Sequence, residues 1–194
     1  MWTPLRTLLR APWGRPHPPL APAGGREARN SVPRRRVEAS MTQGPAPRVL
    51  SDEALSGLLG SQQFGTLATM KRSGHPHLTT MMYSWDPEAR VVRFSTTADR
   101  VKVKQLRRDP RAALHVSGGD VWSFAVAEGE AEVSEVTTAP GDAVGRELLG
   151  MIPEAARPAG EDAETFLKGL VAERRVVIRL RVGRLYGTAL DVDG

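Results

Sequence analysis

The chain has 194 residues, 40% of them hydrophobic, and a formal net charge of +5; this suits one globular domain plus additional sequence. It contains no cysteine, which excludes disulfides, thiolate catalysis and cysteine-ligated metal, and it holds no apolar run near the roughly 20 residues that span a bilayer. Residues 1–40 carry eight arginines against Glu27 and Glu38, a balance of +6, while the rest carries 19 basic and 20 acidic side chains, a balance of −1, so nucleic-acid binding by the folded part loses its main electrostatic support.

Residues 1–40 are dominated by Arg, Pro, Ala and Gly, which supply 23 of the 40 positions. Such a segment buries too little apolar surface to offset its ordering entropy, and it is read as a disordered leader. Met41 is the expected true start, with a codon-biased upstream stretch before it. A transit peptide is the alternative, although serine is scarce and prolines crowd the segment, and the apolar centre of a secretory signal is missing. The absence of cysteine suits a reducing compartment, and a cytoplasmic setting is expected. Residues 41–194 form the expected domain.

Ser51 is a good N-cap, Asp52 and Glu53 suit a first helical turn, Leu55, Leu58 and Leu59 form a buried stripe, and Gly60 is placed to close the helix. Residues 64–70 read as a strand, 72–75 as a turn, and 77–85 as the return strand before Asp86-Pro87. Residues 91–94 begin the next strand, so that three strands on short turns predict an antiparallel meander. Ser95, Thr96 and Thr97 then lead into a helix that must stop before Pro110. Between residues 99 and 111 stand six basic side chains, including Arg100 and Lys102, and two acidic ones.

Cations in a first helical turn oppose the helix dipole, whereas the free N–H groups there attract anions. A phosphate site explains the pattern; a solvated charged helix that binds nothing is the alternative. Residues 112–116 and 121–127 read as further strands, with Trp122 alternating within the second and Gly129 placed for a bulge. Residues 142–152 and 161–174 are helix-like, and 176–186 form a final strand. Six strands with helices confined to the connections predict a mainly β fold, a six-stranded antiparallel barrel with peripheral helices.

Residues 50–190 resemble the split β-barrel flavin and deazaflavin oxidoreductases, the pyridoxamine 5'-phosphate oxidase-like superfamily, and most of all its actinobacterial branch that uses coenzyme F420, an 8-hydroxy-5-deazaflavin. The motifs are Gly65-Thr-Leu-Ala-Thr69, Gly74-His-Pro-His77, Phe94-Ser-Thr-Thr97 followed by Arg100-x-Lys102, Leu106-Arg-Arg-Asp-Pro-Arg-Ala112, Trp122-Ser-Phe-Ala-Val-Ala-Glu-Gly129, and Arg174-Arg-Val-Val-Ile178 with Leu185-Tyr-Gly187. The resemblance implies an FMN-binding type of split barrel, used as a homodimer with the cofactor in the groove between subunits. It implies that Ser95, Thr96, Arg100 and Lys102 hold the cofactor phosphate, with Val101 and Gln105 beside them. It also implies that His77, Thr79, Thr80, Met81 and Met82 on the second strand lie along the ring, and that Trp122 reaches the partner's site. Val101, Thr79 and Ser84 stand where flavin-phosphate oxidases carry basic residues, which favours F420 over FMN.

The implied activity is hydride transfer between the reduced deazaflavin and an unsaturated or aromatic small molecule. An FMN-dependent oxidase and a non-catalytic cofactor-binding or storage protein are the alternatives. Tyr83 is the nominated proton donor, being the one ring-side residue with a transferable proton. His75, His77 and His115 could in principle share a metal, but His75 sits in a turn before Pro76 with no acidic ligand nearby, and no metal site is assigned.

Overall fold

The computed structural model describes residues 47–119 and 122–190; the leader, Met41 and the expected turn at Asp120 lie outside them or partly so. Helix α1 (Asp52–Ser61) begins as its sequence dictates, with the Ser51 hydroxyl accepting the Ala54 N–H at 3.2 Å. It runs one residue past Gly60 and ends at Gln62 in extended backbone, so no left-handed glycine stop is needed. Leu55 and Leu59 are buried in the main core and Leu58 packs at its margin.

Strand β2 (Phe64–Met70) alternates buried and half-buried positions and turns through Gly74, at φ +83°, into β3 (Pro76–Met82). The ladder stops at Tyr83, and a short β4 (Ser84–Asp86) then pairs with β5 (Val91–Thr97). This break corrects the expected meander. β2 pairs with β3 and β6 (Arg111–Ser117), whereas β5 pairs with β4 and with β8 (Arg175–Ala189). The strand order is β3-β2-β6-β7-β8-β5-β4, with β7 spanning Phe124–Val133 and a two-residue β1 (Arg48–Val49) attached to β8.

Every pairing is antiparallel, and the sheet curls until β3 and β5 face each other without a shared ladder. The result is a split barrel, with eight strand segments among the described residues rather than six. Leu67, Phe94, Leu114 and Ile178 fill its interior with no exposed surface.

Strand β5 continues through Thr97, paired with Arg175–Val177, so the three hydroxyl residues extend the strand instead of leading into the helix. Threonine packs well on a half-buried pleated surface, which favours this outcome. Helix α2 (Val101–Arg108) follows, ending before Pro110 as expected. β7 opens at Phe124, and Trp122 occupies the turn before it rather than the strand. Gly118 N–H closes that turn on the Ser123 carbonyl at 2.7 Å. The bulge falls between Glu128 and Gly129, where a Cβ on Gly129 would lie 1.8 Å from the Arg181 carbonyl oxygen.

Helices α3 (Ala143–Gly150) and α4 (Gly160–Ala172) are joined through a single 3₁₀ turn, Glu154–Ala156. They form a second, smaller core with Val177, in which Leu148 and Leu170 are buried against Met151, Phe166 and Leu167. Their seat on the sheet is ionic as well. Glu147 of α3 accepts from Arg179 Nε at 2.8 Å and from Arg93 Nε at 3.2 Å. The Arg179 guanidinium, then Arg93, holds the Glu147 carboxyl below its ordinary 4.5.

A carboxylate with a depressed pKa stabilises the fold above its unfolded pKa and loses that contribution as pH falls through the folded value. Glu147→Gln is therefore expected to cost about 1–3 kcal/mol at pH 7, where two half-buried guanidinium groups each lose one charged acceptor and keep another, Asp86 for Arg93 and Glu132 for Arg179. The difference from the parent should shrink below pH 4.5. Urea unfolding at pH 7 and pH 3.5 reads both, and a difference that stays constant across that range would show that the ionic seat contributes nothing.

Candidate functional site

The split between β3 and β5 is the place where the chemistry-bearing residues gather. Alternation along β5 sends Phe94 and Thr96 into the main core and leaves Arg93, Ser95 and Thr97 on the face toward α3 and α4. On β3, His77, Thr79 and Met81 are half-buried while Leu78, Thr80 and Met82 are exposed. Thr80, Met81, Met82, Tyr83 and Ser95 line one cleft of about 480 Å³, closed on the other side by Leu148, Met151, Ile152, Pro153, Phe166 and Leu170, with Arg175 at its polar end.

Arg100 is the N-cap of α2 and donates no side-chain cap, and the first turn of that helix holds no acidic residue. Asp99, the carboxylate nearest in sequence, is bonded by the Thr97 hydroxyl at 2.5 Å, which holds its pKa down. Lys102 is half-buried, and its amine is pushed below its ordinary value first by desolvation and then by the neighbouring Arg100. Two cations thus converge on a helix N-terminus without an ion-pair partner among the described residues. An anion placed there meets backbone N–H groups, the dipole and both charges.

The remaining candidates separate by environment. Gln105 is buried, and its Oε1 accepts from the Thr69 hydroxyl at 2.6 Å and lies 3.0 Å from His77 Nδ1. Both side chains are therefore engaged in fastening α2 to β2 and β3. Thr79 Oγ1 is buried with no partner, alone in this respect among the described residues. Thr96 faces the core, on the opposite side of the strand from Ser95. Val101 is exposed at the helix start, and Trp122 is half-exposed in its turn.

Tyr83 is buried, its hydroxyl donates to the Leu59 carbonyl at 2.7 Å, and burial pushes its pKa up to about 12. The phenol proton nominated for catalysis is committed to helix α1. Tyr83→Phe is expected to lower stability by about 0.5–1.5 kcal/mol, the net worth of a typical hydrogen bond, and to leave turnover within about twofold. Loss of turnover with unchanged stability would restore Tyr83 as the donor.

Sequence reasoning missed the helical roof and Arg175. The apolar spacing of Leu148 with Met151 and of Phe166 with Leu170 signals amphipathic helices, but does not tell which strands they cover. No metal-holding cluster of His, Asp and Glu is found among the described residues, and no described helix is long and apolar enough to cross a membrane.

These features define a split β-barrel with an anion-ready helix terminus beside an apolar cleft. The pyridoxamine 5'-phosphate oxidase family matches residues 51–188, and the chain belongs to that family. An F420H(2)-dependent biliverdin reductase from Mycobacterium tuberculosis (strain CDC 1551 / Oshkosh) is 27% identical over 144 residues, which are 74% of this chain and 92% of that protein. Among solved structures, a conserved hypothetical protein from Mycobacterium tuberculosis superposes with a TM-score of 0.59 at 26% identity, covering 76% of this chain and 90% of the other. A FAD-binding protein from Mesorhizobium loti gives 0.51 at 19% identity, with 73% and 96% covered, and shares the fold.

Proposed function

We propose that this protein is an F420-dependent reductase that passes hydride to an unsaturated or aromatic small molecule. The observation that carries the reading is the pair Arg100 and Lys102, without an ion pair among the described residues, at the start of the helix that follows β5. The donor set fits a phosphorylated cofactor. It offers two cations and helix N–H groups for the anion, and the Ser95 hydroxyl on the wall of the cleft. Thr79 and Ser84 are neutral, which supports F420 over FMN, as does the F420H(2)-dependence in the name of the 27%-identical relative.

When bound, the deazaflavin supplies the carbon that gives the hydride. The chain's part is binding, orientation and exclusion of water. Arg100 and Lys102 anchor one end, and Thr80, Met81 and Met82 at the end of β3 form a wall. The helical roof keeps the cleft apolar, so that electrostatic interactions inside it are weakly screened. Fluorescence titration with F420 beside FMN tests the reading: F420 should bind at least tenfold tighter, and a preference for FMN would replace F420 with the flavin. Single-turnover reduction of candidate acceptors then separates a reductase from a storage protein.

The same proposal includes a homodimer. Phe64 and Met82 sit opposite each other across the β2–β3 ladder, and with Leu78 they leave 55%, 60% and 61% of their surfaces exposed on one face. An apolar strip of this kind next to a ligand site is what a twofold partner covers. Light scattering at micromolar concentration should give twice the chain mass; a monomer that still binds cofactor tightly would remove the shared-site arrangement and the role of Trp122 with it.

A further inference from the structure

With the cofactor anion assigned to Arg100 and Lys102, the cleft under α3 and α4 has a further cation, Arg175, that this assignment does not use. We propose that the cleft takes the reaction partner, and that this partner is an apolar, ring-bearing organic anion whose carboxylate or sulfonate sits on Arg175. The naming of the occupant as reaction partner rests on the reading above; the binding chemistry does not.

The walls argue for an apolar body. Leu148, Met151, Ile152, Phe166 and Leu170 present carbon and sulfur, and about 480 Å³ accommodates a molecule of two or three rings. Unbranched methionines adapt to irregular outlines, which suits a flat ligand in a helical roof. One end is different. Arg175 Nε is held by Glu173 at 2.7 Å and Nη1 donates to Ser95 Oγ at 3.3 Å. These two contacts fix the plane of the guanidinium, and among the described residues nothing accepts from Nη2.

A planar fork with a fixed orientation and a free edge matches an oxyanion group. The one carboxylate on Arg175, Glu173, is 56% exposed and solvent-screened, so it leaves attraction for a second anion. A neutral ligand would gain nothing from this end, and a small polar anion would leave the apolar walls unfilled.

The test uses the full-chain protein and two fluorescent probes with the same ring system, 1-anilinonaphthalene-8-sulfonate and the neutral N-phenyl-1-naphthylamine. The parent should bind the sulfonate about tenfold tighter than the neutral probe, and Arg175→Gln should erase that difference while leaving the neutral probe unchanged. Arg175→Lys should retain part of the preference, and Phe166→Ser should weaken both probes. Saturating F420 should leave the sulfonate bound.

Equal affinity of the parent for both probes, or an Arg175→Gln variant that holds the sulfonate as well as the parent does, overturns the proposal. Displacement of the sulfonate by F420, or a loss of F420 affinity in Arg175→Gln as large as the loss of sulfonate affinity, also overturns it, because Arg175 then serves the cofactor. A parent that fails to bind F420 removes the proposed cofactor, and the two-probe comparison still decides the cleft.

Discussion

Lys102→Ala is expected to weaken F420 binding by about ten- to a hundredfold, because hydrogen bonds to a charged group contribute roughly 1.5–3 kcal/mol. Arg100→Ala should match it, or exceed it where the guanidinium makes a bidentate contact. Lys104→Ala, two residues further along α2 and exposed, is the control and should stay within about threefold. The ionic origin adds a signature: affinity should fall with added salt, and less steeply in the variant than in the parent.

Stability should move the other way. Desolvation and Arg100 hold the Lys102 amine below its ordinary pKa, so the folded state binds that proton less tightly than the unfolded chain does. The cost of the buried charge is present at neutral pH and disappears only as the pH rises past the amine's titration. Lys102→Ala should therefore melt at the parent's temperature or slightly above it. A variant that binds F420 like the parent would reduce the basic helix to a solvated face. A variant that loses several degrees of melting temperature would make Lys102 structural.

Phe94→Ala is expected to remove about 3–5 kcal/mol of folding stability, a large share of the 5–15 kcal/mol typical of a domain. Phe94 has no exposed surface, lies opposite Ile178 in the β5–β8 ladder, and meets the Tyr83 ring at a centroid distance of 6.4 Å. Its truncation opens a void between the two edges of the split, where the neighbouring strands are fixed by their own ladders and cannot collapse into it. Urea unfolding measures the loss; a cost below about 1 kcal/mol would mean that the site collapses and that the core is softer than its burial indicates. Phe94 stands next to Ser95 on the strand that leads to α2, so ligand affinity should fall with stability even though Phe94 touches no ligand.

Much of the fold was legible because its signals are local. Residues 64–70 alternate and end at a glycine turn, and the strand has those bounds. Ser51 caps, Pro110 stops and Gly129 bulges for reasons that each residue carries by itself. The pairing of strands was not local. β5 is drawn to β8 and away from β3 by burial on both of its faces, and nothing in residues 91–97 names that partner.

The same division applies to the site. The run of cations from Arg100 along α2 is visible in one glance along the sequence. The commitment of the Tyr83 hydroxyl to Leu59 and of Gln105 to Thr69 depends on residues 24 and 36 positions away. Arg175 escaped notice because, among 27 Lys and Arg residues, its distinction is the company of Ser95.

The position of β8 between β7 and β5 has a consequence for the order of assembly. Ser95 and Arg175, which meet at one end of the cleft, are 80 positions apart in the chain. During synthesis, β2, β3, β6 and β7 can form their ladders as they emerge, but the β4–β5 hairpin has no further strand to join until β8 is made. The hairpin carrying Ser95 and the start of α2 must wait, with an open edge, through the emergence of both roof helices. Folding should therefore be gated by a late, long-range closure, slow for a domain of this size. Binding competence should appear in a single step with the docking of β8, and a nascent chain lacking that strand should have no affinity for the cofactor at all.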